Sequence, residues 1–261
     1  MTKPDPIKAE KSARKPAKKP WTASVLTLFP DAFPGVLGTS VIGSALKDEK
    51  WALEAIDIRD FSYNKHRSVD ASPAGGGPGM VLTPEVSARA IDDVVQGGVA
   101  RKADETADTR PLIYLTPRGL PLTQKRVREL ANGSGVIVFC GRFEGLDQRV
   151  IEARNMEEVC VGDFILAGGE VAAQAMIEAC VRLLPGVLGG ETSTDEESFE
   201  DGLLEYPLYA KPREWEDRKI PEVLLSGDHK RIADWRRAEM EKITKERRPD
   251  MWEKHIKGKI K

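Results

Sequence analysis

The sequence predicts an α/β fold built on a parallel sheet, and three observations support this prediction. Strand-like and helix-like patterns alternate along the chain. Residues 135–140 form a continuous apolar run, the pattern of a strand that is buried on both faces of a parallel sheet. Three apolar runs end in glycine-bearing turns, at 114–119, 141–145 and 161–170. Small ligands bind at the strand ends of such sheets, and glycine lets main-chain amides approach them closely, so the turns predict one pocket.

The first part of the chain begins as a βα unit. Residues 23–29 form a β-prone run that Pro30 closes, and 33–46 has helical spacing. Residues 53–58 alternate as a strand. The polar segment 64–80 that follows is too long for a simple connection, which indicates a functional loop.

The alternation of elements continues to the middle of the chain. In order, the patterns predict a helix at 84–95, a polar connection at 97–110, and then a strand at 112–115, a helix at 123–131, a strand at 135–140, a helix at 147–154, a strand at 158–164 and a helix at 170–184. Asp228, after Ser226 and Gly227, is the predicted N-cap of a later helix that contains Trp235.

Composition shifts divide the chain into four parts. Residues 1–20 are expected to form a basic, disordered extension, and 21–189 the main α/β domain. The polar, acidic segment 190–206 is the expected linker, and 207–261 the expected helical C-terminal domain. With 261 residues and 40% hydrophobic content, the chain is long enough to bury a sizeable core.

Neither secretion nor membrane insertion is expected. No apolar stretch approaches the length of a membrane span, and the lysine-rich start has no apolar signal region. Cys140, Cys160 and Cys180 are odd in number and lie in apolar runs, which favours reduced core thiols over disulfides or a metal clip. A cytoplasmic location follows as the expectation.

The net charge of −2 conceals two basic regions, one in the first twenty residues and one in the stretch 230–248. Such clusters can neutralise nucleic-acid phosphates. Composition alone favours the simpler interpretation of a flexible tail and a solvated helix face. The chain has neither a GxGxxG turn opening a helix nor a Walker motif, which argues against Rossmann and P-loop enzymes.

Several motifs in register resemble one family, the bacterial tRNA (guanine-N1)-methyltransferases, TrmD. The resemblance runs from Trp21 to about Pro249. The motifs are Leu28-Phe29-Pro30, Arg59-Asp60-Phe61, His66-Arg67-Ser68-Val69-Asp70, Gly75-Gly76-Gly77-Pro78-Gly79-Met80, Cys140-Gly141-Arg142-Phe143-Glu144-Gly145, Gly162-Asp163 and Ser226-Gly227-Asp228-His229.

This resemblance implies a SPOUT methyltransferase domain with a deep trefoil knot, a small helical C-terminal domain, and a homodimer whose active site is shared between subunits. Knots are rare enough that the physics of the sequence alone predicts none. The implied methyl donor is S-adenosylmethionine, bound by the three glycine turns. The implied cofactor residues are Tyr114, Leu115, Thr116, Pro117, Gly141, Glu144, Gly145, Val161, Gly162, Asp163, Phe164, Ile165, Leu166, Gly168 and Gly169.

The implied reaction methylates N1 of the guanosine at position 37 of tRNA, beside the anticodon. Because N1 carries a proton, the reaction needs a base, and charge moving onto O6 needs a donor. Glu197 stands where the family usually has an Asp base, and Asp195 is the alternative; Thr194 and Glu197 also fit a helix capping box. Arg182 matches the family's catalytic arginine and also suits a helix C-terminus.

The resemblance also implies residues that contact the tRNA. Carboxylates can accept from guanine N1–H and N2–H2, and arginine can pair with O6, N7 or phosphate. For an isolated histidine, a surface position without function is the alternative. The family's Pro-His-Tyr-Thr-Arg-Pro segment appears here as Pro207-Leu208-Tyr209-Ala210-Lys211-Pro212. The implied tRNA contacts are His66, Arg67, Asp70, Arg142, Tyr209, Ser226 and His229.

Mg²⁺ is implied as an assisting ion, and the sequence offers no clustered carboxylates to which it can be assigned. Two other functions stay open at this point. One is a SPOUT enzyme acting on another RNA or on a 2′-hydroxyl. The other is a non-catalytic RNA-binding protein that kept the fold and lost its base, which the Glu at position 197 leaves open.

Overall fold

The structure is a computed structural model that describes residues 19–96, 108–189, 197–199 and 201–259. Nearly all of the predicted N-terminal extension, part of the connection after residue 96, and most of the acidic segment that precedes Glu197 lie outside the described residues, Asp195 and Thr194 among them. The rest divides into two compact units. One contains the described residues up to Leu122 together with Glu129–Val181, and the other contains Thr123–Arg128 and the described residues from Arg182 onward.

The first unit is built on a parallel sheet, as the sequence predicts. Its strands are β1 (Trp21–Thr27), β2 (Trp51–Asp57), β5 (Leu112–Pro121), β6 (Gly135–Cys140) and β7 (Glu157–Cys160). They lie in the order β2-β1-β6-β5-β7, and each neighbouring pair is parallel. A short antiparallel ribbon, β3 (Asp70–Ala71) with β4 (Val81–Leu82), stands apart from this sheet.

Helices complete the first unit on both faces of the sheet. They are α1 (Ser40–Lys47), α2 (Pro84–Gln96), α4 (Gln148–Ala153) and α5 (Glu170–Val181), and α3 (Gln124–Ala131) is divided between the two units. Every residue of β6 is buried. Ile137 and Phe139 join a core cluster with α2 and α4, whereas Val136 and Val138 point to the opposite face, as strand alternation requires. Helix α5 packs against β1 and β6, so the central strands are covered on both sides.

Strand β5 contains the irregularity that shapes the pocket. Leu115 and Leu120 both pair with Val159 of β7, so residues 116–119 leave the ladder between them. Pro117 lies in this excursion, where the missing N–H of proline costs no ladder hydrogen bond. A Cβ on Gly119 would lie 2.3 Å from the main-chain nitrogen of Val159, so only glycine allows the strands to close again. The sequence predicted the strand only as far as Leu115, with a turn after it.

Most predicted elements are confirmed, and four are wrong in part: besides the strand that begins at Leu112, the helix predicted at 170–184 ends at Val181, and two further elements differ. The predicted strand 158–164 ends at Cys160, because Gly162 allows a tight turn in which Phe164 N–H donates to the Gly162 carbonyl at 2.9 Å. The predicted helix 33–46 is an α-helix only from Ser40; two 3-10 turns, Pro30–Ala32 and Gly35–Gly38, come before it. Proline at position 34 disfavours helical geometry in the residue before it.

The second unit is largely helical. A small hairpin, β8 (Glu214–Trp215) with β9 (Arg218–Lys219), precedes the long helix α6 (His229–Arg247) and the final helix α7 (Pro249–Lys259). The carboxylate of Asp228 accepts a hydrogen bond from the main-chain N–H of Arg231 at 3.1 Å, which confirms the predicted N-cap. The three cysteines are buried free thiols, also as predicted.

Candidate active site

A cavity of about 290 Å³ opens at the excursion in β5 and at the carboxyl ends of β6 and β7, near the lower end of the range for small-molecule sites, roughly 300–1,000 Å³. The three glycine-bearing turns predicted from the sequence all line it. The strand order brings them together, because β6, β5 and β7 are neighbours and run in the same direction.

Tyr114 supports the turn that follows β6. Its ring is buried, and its hydroxyl accepts the main-chain N–H of Leu146 at 3.0 Å. A Cβ on Gly141 would lie 3.0 Å from the Tyr114 ring, and one on Gly145 would lie 2.8 Å from the hydroxyl. Burial raises the pKa of Tyr114 above its ordinary value, so the hydroxyl stays protonated at neutral pH. The glycines of this turn are therefore needed to let the backbone pass over an aromatic ring.

The turn after β6 and the turn after β7 are joined by main-chain contacts. Gly169 N–H donates to the Gly141 carbonyl at 2.9 Å, and Arg142 forms an isolated bridge with Gly168. A Cβ on Gly169 would lie 2.8 Å from the Cα of Cys140. Glycine at these positions therefore lets the two turns pack closely against each other and against the end of β6.

Glu144 links the pocket to the glycine-rich loop upstream. Its N–H donates to the Met80 carbonyl at 2.8 Å, and a Cβ on Gly79 would lie 2.4 Å from its carboxylate. Leu82 N–H donates to the Gly145 carbonyl at 2.9 Å. The long segment 64–80, predicted to be functional, therefore ends directly against the pocket.

Among the residues that the family resemblance assigns to the cofactor, all except Asp163 line this cavity. Sequence reasoning did not assign several further lining residues to the cofactor: Arg142, Phe143, Val159, Cys160, Ala167 and Ala172. Phe143 has a φ of 59°, a strained conformation for a bulky residue, and this kind of strain concentrates at functional sites. No pattern in the sequence signals a positive φ at a phenylalanine.

The chemistry of the wall defines what the pocket can hold. Leu115, Ile165 and Leu166 provide apolar surface for a flat ring. Glu144 provides a carboxylate for hydroxyl groups or a cationic centre. A compact ligand with an aromatic ring, hydroxyl groups and positive charge fits this arrangement.

In the second unit, Arg182 and Glu197 form a two-bond ion pair. The Nη1 and Nη2 atoms of Arg182 lie 2.8 and 2.5 Å from the two carboxylate oxygens. Both side chains are about two-thirds buried or more. The hydrogen bond from Arg182 holds the pKa of Glu197 below its ordinary value, with a smaller contribution from the charge of Arg128. The carboxylate is therefore ionised at neutral pH.

The predicted RNA contacts of the first unit lie on its exposed surface or beside the pocket. His66 is exposed, and Arg67 pairs with the carboxylate of Asp60. Asp70 is opposite Leu82 in the β3–β4 ribbon, and Leu82 in turn bonds the pocket turn. Asp70 is thus positioned by the same segment that contacts Glu144.

The predicted RNA contacts of the second unit are Tyr209, Ser226 and His229, and their side chains have different environments. The ring of Tyr209 lies 6.2 Å from that of Trp235, and His229 is exposed at the start of α6. The Ser226 hydroxyl donates to the Val223 carbonyl at 2.7 Å, so it is already used in a local turn. Sequence reasoning missed a nearby stack in which the guanidinium of Arg236 lies 4.6 Å from the ring centre of Tyr206.

The described residues contain neither a cluster of metal ligands nor a helix that could span a membrane. No group of three or more His, Cys, Asp or Glu side chains lies close enough together there to hold a metal ion. Within the same residues, none of the helices combines the length and the apolar character that a bilayer span requires.

The chain is similar over most of its length to one family of known proteins. Residues 22–254 match the model of the family described as tRNA (Guanine-1)-methyltransferase TrmD. A tRNA (guanine-N(1)-)-methyltransferase of Rhodopseudomonas palustris (strain BisB18) is 58% identical over 233 residues, which are 89% of each chain. The protein of that name from Jannaschia sp. (strain CCS1) is 55% identical over 241 residues, 92% of this chain and 96% of its own. One from Nitrobacter winogradskyi is 57% identical over 232 residues, 89% of this chain and 93% of its own. The chain therefore belongs to the TrmD family of tRNA (guanine-1)-methyltransferases.

Proposed function

We propose that this protein transfers a methyl group from S-adenosylmethionine to N1 of the guanosine at position 37 of tRNA. The observation that carries the proposal is the family match, which spans residues 22–254. The glycine-built cavity at the ends of β5, β6 and β7 supports it, because it offers a small-molecule site where the family resemblance assigns the methyl donor.

The cavity fits S-adenosylmethionine by its chemistry. Apolar side chains such as Leu115 and Ile165 suit the adenine ring, and Glu144 suits the ribose hydroxyls or the positive charge. When bound, this group supplies an electrophilic methyl on a sulfonium sulfur, which leaves as a neutral thioether. Close approach of the ligand to the wall depends on glycines whose substitution would displace Tyr114 or Cys140.

Glu197 is the proposed general base and Arg182 the proposed donor to guanine O6. Guanine N1–H is a far weaker acid than a carboxylic acid, so its proton moves to Glu197 only if the charge that develops on O6 is stabilised. The two-bond ion pair places a carboxylate acceptor next to guanidinium donors, the arrangement that is complementary to guanine N1–H and O6. The proton passes to Glu197, and the N1 lone pair forms the new bond to the methyl carbon.

The RNA is proposed to contact both units. In the first, the proposed contacts are His66, Arg67, Asp70 and Arg142; in the second, Tyr209, Ser226 and His229. Exposed basic residues of α6 are suited to phosphate groups. Removal of the target base from its stack is the expected mode for chemistry on a ring atom.

We further propose the finer architecture that the family resemblance implies. It comprises a SPOUT domain at 21–189 with a deep trefoil knot, a linker at 190–206, a tRNA-binding domain at 207–261, and a homodimer. The homodimer is supported by exposed apolar side chains on the first unit, among them Val36, Val41 and Val171.

Mg²⁺ does not fit the described residues. They contain no cluster of ligands for it, and both carboxylate oxygens of Glu197 are bonded to Arg182. We therefore assign no step to this ion.

The proposal is tested by methyl transfer from labelled S-adenosylmethionine to an unmodified tRNA transcript with guanosines at positions 36 and 37. Wild type should form N1-methylguanosine at position 37. Glu197→Gln should abolish the transfer because the amide accepts no proton, and it should leave cofactor affinity unchanged. Asp195→Asn should retain activity.

The outcomes separate the competing interpretations. A product methylated at another atom or in another RNA would identify a different SPOUT enzyme. Cofactor binding without turnover in wild type would indicate a non-catalytic RNA-binding protein. Loss of activity in Asp195→Asn with activity retained in Glu197→Gln would transfer the role of base to Asp195.

A further inference from the structure

A buried carboxylate outside the cavity lining holds one of the residues that line it. Glu170, the first residue of α5, is only 3% exposed, and Thr27, at the end of β1, is fully buried. Neither lines the cavity. A buried carboxylate is costly unless it is paired and hydrogen-bonded, so its partners indicate why it is there.

The partners of Glu170 form a closed circuit of contacts. The Thr27 hydroxyl donates to Oε1 of Glu170 at 2.7 Å and accepts the Phe29 N–H at 2.9 Å. The Nε and Nη2 atoms of Arg142 both lie 2.9 Å from Oε2 of Glu170. The Arg142 guanidinium then lies 4.3 Å from the centre of the Phe29 ring. The Arg142 guanidinium thus connects three segments: the end of β1, the turn after β6 and the start of α5.

Two features of the backbone also favour the contact between Arg142 and Glu170. A Cβ on Gly168 would lie 2.1 Å from Nε of Arg142, so glycine there is needed for the arginine to reach Glu170. The N-terminus of α5 favours a negative charge in its first turn. The position of the guanidinium is therefore determined from three sides.

The fixed guanidinium keeps donors for a ligand. Among the described residues, its five N–H groups meet two acceptor atoms, Oε2 of Glu170 and the carbonyl of Ala167, the latter at 3.4 Å from Nη1. Arg142 lines the cavity, and its side chain is about one-quarter exposed. A rigid fork of this kind suits an acceptor on guanine or on phosphate.

We propose that Glu170, supported by Thr27, is a positioning residue that holds Arg142 so that its remaining N–H groups meet an acceptor of the substrate RNA. The inference rests on the proposed function, since it assigns the substrate as RNA. Glu170 touches neither cofactor nor substrate and acts through Arg142 alone.

The test is a double-mutant cycle on single-turnover methylation of tRNA. Glu170→Gln keeps the size of the side chain and removes its charge, and it should lower kcat/KM for tRNA on the order of 10-fold to 100-fold, as a misplaced binding group does. In an Arg142→Ala background the same change should have no further effect. Additive losses in the two backgrounds would overturn the proposal.

Further variants separate positioning from folding. Thr27→Val removes only the hydroxyl and should give a smaller loss that also disappears in the Arg142→Ala background. The matched control is Asp92→Asn, which breaks the ion pair of Asp92 with Arg154, whose atoms lie 2.6 and 2.7 Å apart, outside the cavity lining. Asp92→Asn should leave kcat/KM unchanged, and an equal loss in this control would overturn the proposal.

The affinity for S-adenosylmethionine should be the same in wild type and Glu170→Gln.

An anticodon stem-loop with 7-deazaguanosine at position 37 separates the possible acceptors. If Glu170→Gln does not lower kcat/KM for this modified RNA, the acceptor is guanine N7; if it lowers kcat/KM as much as for the unmodified RNA, the acceptor is O6 or phosphate. If wild type forms no N1-methylguanosine, the proposed function fails. The cycle is then measured on stem-loop affinity, where the absence of coupling between Glu170 and Arg142 would overturn the inference separately.

Discussion

The side chains of Arg182 and Glu197 are hydrogen-bonded to each other in this structure. Their charges stabilise one another, so the carboxylate is in the ionised form that a base requires. The same contact makes the carboxylate a weaker base, because its pKa lies below the ordinary value. Under the proposed mechanism, guanine separates this pair when it binds: its N1–H donates to Glu197, and its O6 accepts from Arg182.

This pairing predicts a change in the pH profile. Glu197 must be ionised to act, and Arg182 lowers its pKa, so the acid limb of kcat/KM in wild type should lie below the ordinary pKa of a glutamate. Arg182→Met removes the hydrogen bond and the charge, so the pKa of Glu197 rises and the acid limb should move to higher pH. Residual activity measured across pH tests this expectation. Arg149→Met, which breaks the exposed pair with Asp147, is the control and should leave the limb in place.

Tyr114 gives a prediction about stability and the pocket together. Tyr114→Phe removes the acceptor of the buried Leu146 N–H, and a buried group without its partner costs about 1–3 kcal/mol. Urea unfolding should show a loss of that size, and calorimetry should show weaker cofactor binding. Tyr63→Phe, at a ring that is 86% exposed, is the matched control and should change neither. Unaltered stability in Tyr114→Phe would contradict the role given to this hydroxyl.

The sequence identifies site residues that belong to a recognisable motif. It does not identify residues whose role is to hold another site residue in place. Glu197 and Arg182 are found through a family resemblance, and their pairing is visible only in the structure. Glu170 is the last residue of the glycine-bearing turn 161–170. An acidic residue at the start of a helix is ordinarily explained by the helix dipole, so the sequence gives no reason to single it out. Thr27 lies 143 residues from it in the chain, and no local pattern connects the two.

Within the elements, the four-residue excursion in β5 creates the first wall of the pocket. Gly119 allows the strand to rejoin β7 directly afterwards. Gly119→Ala should push the two strands apart, lower the free energy of unfolding and weaken cofactor binding. Gly258→Ala, where an added Cβ meets nothing within 4 Å, is the control and should leave cofactor affinity unchanged. Isothermal titration and urea unfolding of both variants test this, and full affinity in Gly119→Ala would contradict it.

Elements with a single strong signal are predicted best. The apolar run of β6 gives its bounds without error, because burial on both faces leaves no alternative to hydrophobic side chains. The run after residue 158 is misleading, since Phe164 and Ile165 are apolar and yet line a turn. Apolar residues at a ligand pocket have the same appearance in sequence as apolar residues in a strand.

At the scale of the whole molecule, the described residues include several large apolar side chains that are exposed on the first unit. Val171 on α5 is 63% exposed and Val36 is 52% exposed, on segments of the first unit that contact each other. If this face joins two copies, Val171→Glu should yield monomers, because a buried unpaired charge is strongly unfavourable. Light scattering after size-exclusion chromatography measures the state. Val171→Leu should remain dimeric, and a dimeric Val171→Glu would contradict the proposed interface.

At this scale the sequence predicts the class of fold and the meeting of three turns. It does so because strands that end in glycine turns converge at one edge of a parallel sheet. The strand order β2-β1-β6-β5-β7 is not predictable from the same patterns, because pairing depends on contacts between segments far apart in the chain. The knot and the homodimer are proposals that rest on the family resemblance.

The glycine positions in the pocket wall have a consequence for inhibitors. A molecule that packs against Gly141, Gly168 and Gly169 occupies space that no side chain of the protein fills. Side chains at these positions would collide with Tyr114, Arg142 or Cys140 before reaching the inhibitor. Resistance through a single substitution there would damage the protein's own cavity, so compounds directed at this wall should select few viable escape mutants.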